Sequence, residues 1–114
     1  MLSIESLKAL GVNTEEGVGR CLGKPDFYLR MVGMAVKDNK VEALDAALKR
    51  GDLKEAFELA HALKGMCANL SLTPLSVPLS EITEILRAGT DEGTSALIGE
   101  IVSQKRKLDD IAAD

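Results

Sequence analysis

Residues 52–72 read DLKEAFELAHALKGMCANLSL, and the spacing of their apolar side chains predicts a helix. Leu53, Ala56, Ala60, Leu63, Cys67 and Leu70 follow one another at intervals of three and four, the seam of a helix packed into a bundle. Gly51 stops whatever precedes it, and Asp52 with Glu55 three residues on resembles a capping box. At about 100° per residue, His61 lies roughly 130° from the middle of the seam and is predicted exposed. Lys54, Phe57, Glu58, Lys64, Gly65 and Ala68 share its side of the cylinder, with Phe57 also bordering the seam.

Working outward, helical punctuation continues in both directions, and no alternation is regular enough for a strand. Toward the N-terminus the pattern predicts a short helix from Ile4 to Leu10 and a second opened by Asn13 or Thr14. A third begins at Pro25 and runs through Lys37. Residues 38–50 are again helical, with Val41, Leu44 and Leu48 on one stripe; whether they continue the third helix is left open. Toward the C-terminus, Thr73-Pro74 starts a helix with Leu75, Leu79, Ile82 and Leu86 on one face. Pro78 predicts a kink or a frayed first turn there. A last helix, about Glu92 to Ala112, carries Leu97, Ile101, Leu108 and Ile111. Short connections between amphipathic helices imply an all-α fold, an antiparallel up-down four-helix bundle with short extra N-terminal helices, as a single domain over residues 1–114.

Composition narrows the function. Phe27, Tyr28 and Phe57 are the aromatic residues, and there is no Trp, so the core must be aliphatic. The net charge is −4, with the two signs interspersed, which argues against nucleic acid as a partner. The basic run Gln104-Lys105-Arg106-Lys107 is answered by Asp109 and Asp110 and reads as a solvated helix face. Cys21 and Cys67 match no metal or redox spacing, and Cys67 falls on the apolar stripe as a buried, reduced thiol. The first residues carry an acid early and do not form a signal peptide, and no stretch is long enough to span a membrane. The expected location is the cytoplasm.

His61 is the lone histidine. An exposed histidine on a helix ordinarily has no task, and Lys64 by itself reads as a solvated lysine. Gly65 weighs the other way, since a mid-helix glycine costs about 1 kcal/mol relative to alanine. Removing a side chain beside the imidazole gives another surface room to approach, and Ala62 and Ala68 keep the neighbourhood small. An exposed imidazole with a cation one turn along suits a phosphoryl carrier. The residues alone leave both readings open.

His61-Ala62-Leu63-Lys64-Gly65, followed by small residues, Leu70 and a turn, resembles the H-x-L-K-G core of histidine-containing phosphotransfer (HPt) domains. The stretch from Leu10 through Gly17 to Phe27-Tyr28-Leu29-Arg30 is similar to the opening of small stand-alone members. Arg50-Gly51-Asp52 is similar to a turn in the family. The family often has Gly where this chain has Ser71, and Ser71 is expected to cap the next helix instead; Pro74 and Pro78 are a further departure.

The resemblance implies that His61 accepts a phosphoryl group from an aspartyl phosphate, that Lys64 steadies the phosphate oxygens, and that Gly65 gives the partner access. Phe57, Glu58, Ala68 and Leu72 would form the docking patch, although Phe57 also reads as a core residue. Thr83 or Glu84 on the facing helix is a candidate to reach the imidazole. Implied partners are response-regulator receiver domains and a hybrid or sensor histidine kinase, with the protein itself a monomer and a carrier rather than an enzyme. It needs no cofactor of its own, and Mg2+ would belong to the receiver. The alternatives are a helical adaptor that sequesters receivers without phosphorylation and a dimerising kinase fragment.

Overall fold

Side-chain caps and left-handed turns set several of the helix ends. In the computed structural model, which describes residues 1–113, the helices are α1 (Ile4–Ala9), α2 (Thr14–Arg20), α3 (Pro25–Lys37), α4 (Lys40–Arg50), α5 (Leu53–Asn69), α6 (Thr73–Arg87) and α7 (Thr94–Ala113). No strand occurs among the described residues. Ser3 and Ser6 close a reciprocal capping box on α1, and Asn13 accepts from the Glu16 amide at the start of α2. Both arrangements satisfy amide donors that the first helical turn leaves free.

The α3–α4 question is answered by a break. Asp38 is extended (ψ 136°), and its carboxylate accepts from the Lys40 amide at 2.8 Å and pairs with the Lys40 ammonium. The hydrogen bond from the Lys40 ammonium is the main reason the Asp38 carboxyl is held below the usual carboxylate range. Two helices therefore replace one long bent one.

The α4–α5 turn is tight. Gly51 adopts φ +74°, its amide reaches Leu48 O, and the Asp52 amide reaches Ala47 O at 3.0 Å; this is a Schellman closure. Asp52 then accepts from the Glu55 amide. The expected capping box is only half made, because the Asp52 amide is committed to Ala47 and the Glu55 carboxylate pairs with Arg50.

The next turn repeats the device with a different residue. Ser71 sits at φ +55°, its amide bonds Ala68 O, and the Leu72 amide bonds Cys67 O at 2.9 Å. Ser71 does not cap α6, contrary to expectation. Its hydroxyl instead donates to Glu16 at 2.7 Å, so the strained turn is tied to α2. In α6 the helix runs unbroken from Thr73 across the buried Pro78, so of the kink or frayed first turn expected there, the frayed turn is absent.

Helices α4 to α7 form the bundle, with α5 packed between α4 and α6, and α7 closing against α6 and α4. Leu44, Leu63, Leu79, Ile82 and Ile101 are fully buried at its centre. Of the seam foreseen on α5, Ala56, Ala60, Leu63, Cys67 and Leu70 are buried and Leu53 is half-buried. No described helix is long and apolar enough to cross a membrane.

The N-terminal helices brace this bundle. α3 lies against α7, and α2 against α3. Tyr28 of α3 is fully buried and donates its hydroxyl to Leu70 O, at the end of α5, at 2.8 Å. The α2 backbone approaches the Tyr28 ring so closely that a Cβ on Gly17 would overlap it.

The basic run on α7 is not the solvated face it resembled. Lys105 is buried, and its ammonium donates to Val36 O at 3.0 Å and to Asp109 at 2.8 Å. Val36 lies in the last turn of α3, where carbonyls lack helical partners and a cation is favoured. Arg106 and Lys107 are exposed as expected.

Candidate functional site

The seam of α5 points inward, so the opposite face must meet solvent, and His61 is exposed there together with Glu58, Ala62, Gly65, Ala68 and Asn69. Lys64, one turn from His61, is half-buried and makes no ion pair among the described residues. Its ammonium is uncommitted among the described residues, which suits a point charge for phosphate oxygens.

Gly65 has no internal reason to be glycine. A Cβ placed on it would meet no neighbouring group within 4 Å, and the residue is ordinary helix with no positive φ. Gly17, by contrast, is required by the Tyr28 ring. The helix-propensity cost at Gly65, about 1 kcal/mol, is therefore not offset by packing within the chain. What the glycine leaves is an open shelf one turn from the imidazole.

Phe57, one turn before His61, is half-buried, and its ring stacks on the imidazole with centroids 5.8 Å apart and planes at 19°. Arg87, at the end of α6, places its guanidinium carbon 5.0 Å from the centre of the same phenyl ring. Glu84 holds that guanidinium at 3.2 Å. An apolar groove lined by Leu53, Phe57, Leu86 and Gly89 runs alongside, rimmed by Lys54 and Arg87. Phe57 thus borders both the core and the site.

Two expectations are overturned here. Leu72 is not part of the exposed surface: it is 1% exposed, because the left-handed Ser71 turns the chain back and packs Leu72 beside Cys67, Leu63 and Leu75. Thr83 does not reach the imidazole either. It is fully buried and donates to Leu79 O one turn back at 2.6 Å, and Glu84 is engaged by Arg87. Arg87 is the residue the sequence reading missed. Folding α5 back on α6 about Ser71 brings the end of α6 opposite Phe57, a register that would have picked it out.

No cluster of three or more residues suited to hold a metal ion is present among the described residues. Around Gly65 this face presents an exposed imidazole, the unpaired Lys64 ammonium and an uncovered shelf.

A family model for the Hpt domain matches residues 38–113. The match takes in α4 to α7 with the whole of the His61 face and leaves α1 to α3 outside. No curated protein and no solved structure matches the chain. Hpt domains are phosphotransfer modules of two-component signalling, carriers rather than catalysts, that work with receiver domains and histidine kinases. With most of its length matched, four bundle helices included, this chain belongs to the Hpt-domain family.

Proposed function

We propose that the protein relays a phosphoryl group between receiver-domain aspartates through His61. The observation that carries this reading is the pairing of an exposed imidazole with a glycine, one turn on, that no internal contact requires. A ring nitrogen of neutral His61 attacks the phosphorus of an aspartyl phosphate as the P–O bond breaks. That electron pair returns to the aspartate carboxylate, and the proton on the other ring nitrogen can leave to solvent. The reverse step loads a second receiver.

Lys64 balances charge on the transferring oxygens, which is most of what such a transfer asks of its surroundings. Gly65 and Ala68 let the loops around the receiver's aspartate approach. Glu58, with Phe57, lies at the rim of that contact. Mg2+ would sit in the receiver, and the carrier acts as a cytoplasmic monomer without a cofactor of its own.

The test is transfer of radiolabel from a phosphorylated receiver to the wild type and to His61→Gln, followed by acid and base. Label on the wild type alone, lost in acid and kept in base, is expected. Receivers that bind tightly yet leave no label would make the protein a sequestering adaptor.

A further inference from the structure

We propose that Phe57 is a positioning residue that fixes the orientation of the His61 ring, and that Arg87 steadies Phe57 in turn. The inference rests on the phosphotransfer reading of His61. On an exposed helix face a histidine has two accessible wells at χ1 and a broad two-fold choice at χ2, about four orientations in all. His61 makes no side-chain hydrogen bond among the described residues that would choose among them. The near-parallel stack on Phe57, at 5.8 Å and 19°, selects the χ1 well and the plane of the ring and leaves only the 180° flip about χ2 open.

The geometry suits an acceptor. Stacking engages the π face of the imidazole, whereas the nucleophilic lone pair lies in the plane of the ring, at its edge. The ring is therefore held without its nitrogen being covered. Phe57 can serve as the fixed partner because its own ring packs against the bundle core. From the neighbouring helix, Arg87 caps the same ring and is itself held by Glu84. Two helices thus converge on the orientation of one exposed side chain.

A phenylalanine that only helped receivers to dock would act on binding, whereas a positioning residue acts on the rate once the donor is in place. Phosphoramidate separates the two, because this small donor has no docking surface; its P–N bond breaks and ammonia leaves as the imidazole–phosphorus bond forms. With Phe57→Leu, which keeps the apolar bulk and loses the ring, labelling by phosphoramidate should slow about twofold, the dilution of the stacked χ1 well between two. The rate at saturating phospho-receiver should fall by a similar factor. Phe57→Tyr should restore both. In proton NMR the His61 ring protons should show ring-current displacement in the wild type and Phe57→Tyr, and lose it in Phe57→Leu.

Labelling of Phe57→Leu by phosphoramidate at the wild-type rate would overturn the proposal, and so would undisplaced His61 resonances in the wild type. If Phe57→Leu does not fold by circular dichroism, Arg87→Met replaces it. A smaller loss in the same direction is expected, and an unchanged rate with an unchanged ring-current shift overturns the idea. A wild type that shows the displaced resonances yet takes no label from any phospho-receiver removes the relay reading while leaving the stack intact.

Discussion

Tyr28 and Leu70 are joined by a buried hydrogen bond of 2.8 Å between a phenol on α3 and the carbonyl that ends α5. The bond satisfies an acceptor that the helix end would otherwise leave unpaired. Tyr28→Phe should lower stability by about 1–2 kcal/mol in urea denaturation. Burial, with a contribution from Cys21, pushes the phenol up to about 12. The fold therefore favours the protonated form. This stabilisation is complete below the ordinary tyrosine value of 10.0 and is lost as pH rises through about 12. Tyr28→Phe should flatten that alkaline loss, and an unchanged profile would refute the assignment.

Gly65→Ala offers a test in which stability and function move oppositely. The added methyl meets nothing in the chain, so the helix should gain up to about 1 kcal/mol. Transfer from a phospho-receiver should nonetheless slow, since the methyl occupies the shelf that the proposed receiver contact would use. Thermal melts and label transfer on one preparation read both. Faster or unchanged transfer would remove access as the reason for the glycine.

Lys105→Met keeps the stem of a buried lysine and deletes its charge. Val36 O and Asp109 lose their donor, and the expected cost is about 1–3 kcal/mol by urea denaturation. The His61 face lies elsewhere on the bundle, so label transfer by the folded variant should persist. A stability equal to wild type would show that the ammonium is dispensable.

Cys67 should be chemically silent in the folded protein. Burial pushes its thiol up to about 12, with the Asp38 charge adding and Lys105 opposing. At pH 8 only about one molecule in ten thousand carries the thiolate at that pKa. A disulfide reagent should label Cys67 only at the pace of unfolding, and at once in urea. Rapid labelling of Cys67 in native protein, mapped by mass spectrometry, would contradict the buried placement.

The three-four spacing of the α5 seam was sufficient to place its core residues and to turn His61 outward, because both depend on a single helix whose angle accumulates regularly. Leu72 was misread for the same reason: periodicity ends with the helix, and Ser71 in a left-handed turn reverses the side chain that follows. Lys105 occupies the stripe position between Ile101 and Leu108, so spacing alone would have buried it. Its charge suggested solvent instead, since the acceptors that make burial tolerable, Val36 O above all, lie on a helix far away in sequence. The Arg87–Phe57–His61 arrangement joins two helices across a turn, and only their register reveals it.

The Tyr28 and Lys105 contacts also bear on where the chain could be trimmed. The matched family segment starts at residue 38, yet Lys105 inside it donates to Val36 outside it, and Leu70 inside it accepts from Tyr28 outside it. A fragment cut at that boundary would retain the histidine face but keep a lysine without one of its acceptors and a helix end without its donor. The smallest piece that carries the His61 face in sequence is thus shorter than the smallest piece that holds it in shape.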